Sequence, residues 1–173
     1  MKIVKLDPAD ATKHHPFRLV HEILVLDAFL QKPLNSRRFE TITKAFIAEL
    51  LSALNMEPLG ELGIYPAVDE RAPGWSFIQP ITTSHVSAHY FEKPGRMPHI
   101  RLDAYSCDSI NWNQLIEVCH RHFSLEEWHA SFIDRQIGRQ SERTVIDLTG
   151  VGAQVTSESV LSGSTAIVGG VKR

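Results

Sequence analysis

The sequence predicts an α+β fold: a two-layer α/β sandwich, with a largely antiparallel sheet carrying two helices on one face. Three observations carry that reading. Thr82–Phe91 and His99–Ser106 alternate with period two around a Pro- and Gly-containing turn, KPGRMP, and read as a hairpin. Arg37–Asn55 and Asn111–Phe123 place apolar residues at helical spacing. The element order is strand, helix, strands, helix, strands, and 173 residues suit one domain with a compact core.

Residues 1–16 read as a polar lead-in. Arg18–Phe29 (RLVHEILVLDAF) is apolar and partly β-branched, as a first strand requires. Pro33 and Asn35 punctuate it, and Ser36 is the expected N-cap of the first helix. That helix shows Phe39, Ile42, Phe46, Ile47, Leu50, Leu51 and Leu54 on one side. Residues 56–74 are rich in Pro and Gly and read as loop, with a short strand near Ile64. Trp75–Ile81 reads as a strand in which Pro80 implies an edge or a bend. Counting back from KPGRMP pairs Ser84–Glu92 with His99–Cys107 and sets Cys107 opposite Ser84. The second helix carries Trp112, Leu115, Ile116, Cys119 and Phe123. Ser131–Ile137 and Arg143–Leu148 read as closing strands. From Thr149 onward small, weakly charged residues predict a loosely ordered tail, giving a domain over 1–148 and a tail over 149–173.

Composition excludes several classes. Hydrophobic residues make up 43% and charged residues 22%, an ordinary globular balance. A net charge of −2 provides no electrostatic footprint for nucleic acid or an anionic membrane. No apolar run approaches the roughly 20 residues of a membrane helix. The N-terminus lacks the apolar core of a signal peptide. Two cysteines, Cys107 and Cys119, make no disulfide framework, so a reducing, cytoplasmic setting is expected.

The stretch TTSHVSAHYFE (Thr82–Glu92) raises the functional question, because one strand face would hold His85, Ser87 and His89 together. Three readings fit these residues: a half-polar strand facing solvent, a metal site, or nucleophilic chemistry by Ser or Cys with a His base. His85 and His89 would lie roughly 13 Å apart on a strand, too far for one ion. Cys119, His120 and His122 do not all share the i, i+3 or i+4 spacing that helical ligands need, and neither C-x-x-C nor H-E-x-x-H occurs, so no metal is expected. Spacing alone does not decide between the other two, because catalytic groupings are spatial. Elsewhere Cys119 and His21 read as core residues, His14–His15 as a solvated pair, and His120 and His122 as helix surface. Arg101 and Asp103 read as a strand-face pair, and Trp75, Trp112 and Trp128 as core or interface.

Thr83–His89 (TSHVSAH), followed by Leu102–Cys107 (LDAYSC), resembles the signature of S-adenosylmethionine decarboxylases of the short prokaryotic type. There a Glu-Ser-His strand continues with a second His five residues after the Ser, then a strand ending Asp-x-Phe-Thr-Cys. Gly74-Trp75-Ser76 is similar to the family's Gly-x-Ser. The resemblance spans roughly residues 17–147. It implies a proenzyme that cuts its own backbone between Thr83 and Ser84. The Ser84 hydroxyl attacks the Thr83 carbonyl, an N→O acyl shift gives an ester, and β-elimination and hydrolysis leave a pyruvoyl group. His89 and Ser76 match the family's processing residues. The pyruvoyl cofactor then forms a Schiff base with the substrate amine and takes up electrons in decarboxylation. Cys107 matches the acid that reprotonates the carbanion, a role that suits a thiol.

Three departures qualify the resemblance. Thr83 stands where the family has Glu, which crowds the attacked carbon and would leave a β chain ending in Thr. Tyr90-Phe91-Glu92-Lys93 stands where the family reads Thr-Trp-Pro-Glu, so Glu92 is the candidate for the substrate ribose, one position early, and Phe91 for an adenine wall. The KPGRMP turn is longer than usual. The implied function is decarboxylation of S-adenosylmethionine for spermidine biosynthesis by a homodimer with sites at or near the subunit interface. The alternatives are the same machinery acting on ornithine or arginine, and an unprocessed, non-catalytic homologue.

Overall fold

The computed structural model describes residues 20–92, 97–135 and 143–163. Eight strands form one sheet in which every neighbouring pair is antiparallel. They are β1 (Glu22–Leu30), β2 (Gly63–Ala67), β3 (Gly74–Ile81), β4 (Ser84–Phe91), β5 (His99–Ser106), β6 (Leu125–Asp134), β7 (Arg143–Val151) and β8 (Gln154–Gly163). The strand order is β2-β3-β4-β5-β1-β6-β7-β8, so β1 is central, between β5 and β6. Two helices, α1 (Phe39–Ala53) and α2 (Trp112–Phe123), complete the α+β sandwich expected from the sequence.

Period-two alternation gives the sheet two unlike faces. Leu24, Leu26, Ala28 and Leu30 of β1, Val86, Ala88 and Tyr90 of β4, and Ile100, Leu102 and Ala104 of β5 all turn inward. They form one core with Phe46, Ile47, Leu50 and Leu51 of α1 and Leu115, Ile116, Val118 and Cys119 of α2. Phe46 sits at its centre, with ring centroids 4.5 Å from Phe123 and 5.9 Å from Phe77. Trp75 packs on Tyr90 at 4.3 Å, and its indole N–H donates to the buried Thr43 hydroxyl at 3.1 Å, which satisfies both polar groups. Trp75 and Trp128 are buried, and Trp112 packs against the core.

Several local expectations differ from the structure. Asn35, rather than Ser36, caps the helical entry: its side-chain oxygen accepts the Arg37 N–H at 3.0 Å and starts a 3-10 turn, Ser36–Arg38, ahead of α1. β6 begins at Leu125 rather than Ser131, because Ser124 in the left-handed conformation (φ 55°) ends α2 and turns the chain directly into the strand. The loosely ordered tail expected from Thr149 is sheet as far as Gly163. Gly152 (φ 60°) makes the turn that returns β7 as β8, and its carbonyl accepts the Trp128 indole N–H at 2.9 Å. The small side chains of β8 suit an edge strand that buries little, with Val155, Val160 and Leu161 exposed. His14–His15, most of the KPGRMP turn, Gln136–Ile137 and residues 164–173 lie outside the described residues.

Candidate active site

The segment read as one strand from Thr82 is a hairpin corner. β3 ends at Ile81, Thr82 and Thr83 form a two-residue turn, and β4 starts at Ser84. Two-residue hairpins favour turns with positive φ at their central residues, supplied by Gly, Asn or Asp. Neither threonine adopts a positive φ; Ser84 does, at 151°. For a residue with a Cβ that conformation costs on the order of 1–3 kcal/mol. The Thr83 carbonyl accepts the Cys107 backbone N–H at 2.8 Å. The Ser84 Oγ lies 3.1 Å from His85 Nδ1. A strained serine, a polarised carbonyl before it and an imidazole beside its hydroxyl therefore share one corner. The register is one residue from that expected: Ser84 faces Ser106, and Cys107 lies one position beyond. Cys107 still reaches the corner through its backbone, and its side chain is half-buried.

The row through Ser84 continues across the sheet as Ser106, Glu22 and Asp134. Glu22 accepts the Ile110 N–H at 2.7 Å. Burial raises its pKa above the ordinary carboxylate value; the Ile110 N–H opposes that rise, and Asp134 and Asp108 add to it. On the open face the same end carries an aromatic and basic group. The Tyr105 hydroxyl is 2.8 Å from His21 Nδ1, His85 meets the Tyr105 ring edge-on at 6.0 Å, and the Arg135 guanidinium lies 5.1 Å from that ring's centre. From the sequence His21 reads as a core residue, and Tyr105, Arg135 and Glu22 carry no signal of a role. These neighbours come from four strands and their flanks, so no local pattern announces them. A cleft of about 520 Å³ borders Thr82, Thr83 and Asp108, and the Thr83 hydroxyl is buried without a hydrogen-bond partner.

Ser76 and His89 form a second, separate group. They face each other across β3 and β4 with Ser76 Oγ 2.7 Å from His89 Nδ1. Five residues of strand set His89 about 16 Å along β4 from Ser84. Its row continues with Arg101, which is ion-paired to Asp27 at 2.6 Å rather than to Asp103, and with His129. Phe91 stacks on His99 at 4.8 Å beside this row. A hollow of about 820 Å³ opens here, lined by Asp27, Phe29, His99, Arg101, His129 and Thr149. The Ser84 corner is at the other end of the sheet, beside the cleft of about 520 Å³. Glu92 accepts a hydrogen bond from Ser36 Oγ at 3.1 Å, at the end of β4 remote from Ser84. The structure thus joins Ser84, Thr83 and Cys107, joins Ser76 to His89, and brings neither Glu92 nor Phe91 to Ser84 within one chain.

The helix residues divide. Cys119 is fully buried, and burial raises its thiol pKa far above the ordinary value, as suits a core residue. His122 is not simply surface: its Nε2 is 2.6 Å from Glu49, and its ring packs edge-on against Phe46. His120 Nδ1 is buried. Among the described residues no three or more His, Cys, Asp or Glu side chains converge to hold a metal.

A family model for S-adenosylmethionine decarboxylase matches residues 25–136. The chain belongs to the S-adenosylmethionine decarboxylase family. A search of curated proteins gave no match. S-adenosylmethionine decarboxylases are carboxy-lyases of polyamine biosynthesis that use a pyruvoyl group and act on a small molecule. In this decarboxylase-family chain the matched stretch contains both the Ser84 corner and the Ser76–His89 pair, while Glu22 and the β7–β8 hairpin fall outside it. Among the described residues no helix is long and apolar enough to cross a membrane.

Proposed function

We propose that this chain is the proenzyme of a pyruvoyl-dependent decarboxylase that cleaves itself between Thr83 and Ser84 and acts on S-adenosylmethionine. The observation that carries the proposal is the corner itself. Ser84 has a φ of 151°, and the carbonyl it would attack is hydrogen-bonded to the Cys107 N–H. Strain in the ground state is relieved when that peptide bond breaks. A backbone donor aimed at the carbonyl stabilises the oxyanion as attack develops.

The residues present fit a group formed at position 84. Cys107, whose backbone N–H meets the Thr83 carbonyl and whose side chain is half-buried, is the acid that would deliver a proton to the substrate carbon after carbon dioxide leaves. The pyruvoyl carbonyl, once formed, supplies the electron sink for that loss. Glu22, Asp108 and Asp134 gather at this end of the sheet and favour a cationic substrate. The separation of His89 and Ser76 from Ser84 supports a homodimer, in which the open face of a second copy brings its Ser76–His89 pair to the corner. Phe91 and Glu92 would then contribute to the substrate pocket from that copy.

The test is the intact mass of denatured, purified protein, followed by borohydride reduction with an amine present. Two fragments, 1–83 and 84–173, with the amine trapped on the second, support the proposal. A chain that stays whole through long incubation removes it and leaves a non-catalytic homologue. A second substrate reading is favoured by one contact: Glu92, the candidate ribose ligand, is engaged by Ser36. Carbon dioxide release from S-adenosylmethionine, ornithine and arginine, assayed side by side, decides between nucleoside and amino-acid substrates.

A further inference from the structure

We infer that His85 is the base that starts self-cleavage, taking the Ser84 hydroxyl proton as the oxygen attacks Thr83; this rests on the self-cleavage reading above. The Ser84 hydroxyl has one titratable side chain at hydrogen-bond distance among the described contacts, His85 Nδ1 at 3.1 Å. In a regular strand adjacent side chains point to opposite faces. The unusual φ of Ser84 breaks that rule and brings hydroxyl and imidazole together. His89 cannot serve on its own chain, because it lies about 16 Å along β4 and is bonded to Ser76. The Tyr105 ring packs edge-on against the His85 imidazole, and Tyr105 is itself bonded through its hydroxyl to His21. The imidazole is therefore held in place while remaining half-buried and open to solvent.

The step balances without any outside reagent. With its proton on Nε2, His85 accepts the hydroxyl proton at Nδ1, and Ser84 Oγ bonds to the Thr83 carbonyl carbon. The oxyanion that forms is held by the Cys107 N–H. The Thr83–Ser84 C–N bond then breaks, and the proton passes from the imidazolium to the departing Ser84 nitrogen. The product is an ester with a free Ser84 amine. A base is needed here because an aliphatic hydroxyl is a poor nucleophile at its own pKa. General-base assistance of this kind contributes roughly 10²–10⁴-fold.

The inference is tested by following cleavage of the wild-type chain, His85→Ala and His85→Asn by intact mass, with and without hydroxylamine, which cuts esters but leaves amides. Thermal melts confirm folding, and His85→Asn keeps a hydrogen-bond acceptor near the hydroxyl should His85→Ala fold poorly. Both variants are expected to cleave at least about 100-fold more slowly than wild type and to stay hydroxylamine-resistant, since no ester forms. Added imidazole should restore cleavage to His85→Ala, an effect that a packing role would not produce. Cleavage of the variants within tenfold of wild type overturns the inference alone. So does a hydroxylamine-sensitive chain, which would place His85 after the acyl shift. A wild-type chain that neither cleaves nor yields to hydroxylamine removes the self-cleavage reading, and the role of His85 falls with it.

Discussion

The two faces of β4 belong to different kinds of chemistry. Val86, Ala88 and Tyr90 point into the core at 0%, 1% and 2% exposure. Between them His85, Ser87 and His89 face the open side, with His89 exposed. The inner face is bound by close packing, so a lost methylene is felt as stability. The outer face keeps reactive groups away from the packing that would desolvate them. Stability and chemistry are thereby separable within one strand, and variants on the two faces should fail in different ways.

The sharpest break concerns Ser84, where strain and the proposed cleavage coincide. Ser84→Ala should abolish self-cleavage altogether, as seen by intact mass. Ser84→Gly should also stay whole, yet melt higher than Ser84→Ala, because glycine adopts a φ of 151° without a Cβ penalty. We expect a gain of roughly 1 kcal/mol between these two uncleaved chains, after glycine's greater unfolded entropy is subtracted. Equal melting temperatures would mean that the corner stores no strain. In the core against which the inner face packs, Phe46→Ala of α1 should cost about 3–5 kcal/mol by denaturant titration, a large part of a domain's stability. Thr43→Val should cost about 1–3 kcal/mol, because it strands the buried Trp75 indole N–H. Any cleavage that the folded fraction of either variant shows should proceed at the wild-type rate.

The same contrast explains how far the sequence could be read. The inner face writes itself as period: Leu24–Leu26–Ala28–Leu30 and the stripe from Phe39 to Leu51 predicted β1 and α1, because burial acts on every second or every third to fourth residue. Ser76, Ser84, His89 and Cys107 stand out as candidates only through resemblance to a family. Which of these candidates meet depends on register and chain reversal, which the resemblance does not supply. Thr82–Thr83 carries no Gly, Asn or Pro to announce a turn, so the corner reads as strand. The β4–β5 register, counted from KPGRMP, differs by one residue because Phe91 rather than Glu92 pairs with His99. β8 was missed because an edge strand needs little apolar surface, and its Ser, Val and Gly residues look like tail. The His21–Tyr105 and Ser84–His85 contacts depend on backbone angles and long-range pairing that no local pattern encodes.

Smaller effects sharpen the comparison at the open face. The Asp27–Arg101 pair is about half exposed on both sides, so Asp27→Asn should change stability by less than about 1 kcal/mol, and by less still in high salt. A loss above about 2 kcal/mol in a chemical melt would show that the open face is covered in the folded protein, as the proposed homodimer requires.

The smallest expected effect has a sign that distinguishes burial from hydrogen bonding. Glu22 has its pKa raised mainly by burial, with Asp134 and Asp108 adding to the rise and the Ile110 N–H opposing it. A carboxyl whose folded pKa exceeds its unfolded value contributes favourably while both states are protonated, and that contribution is lost as pH rises through the folded pKa. At neutral pH the ionised Glu22 is thus a liability. Glu22→Gln keeps an oxygen for the Ile110 N–H and removes the charge. It should therefore melt higher than the parent at pH 7, with the difference shrinking as pH falls into the ordinary carboxylate range near 4. Both chains should carry Ser84→Ala, so that cleavage does not confound the melts. A variant that melts lower at pH 7 would mean that the charged hydrogen bond to Ile110 outweighs burial. The Ser84 end of the sheet would then be a site that stabilises a carboxylate, rather than one whose acids are held ready for a cationic ligand.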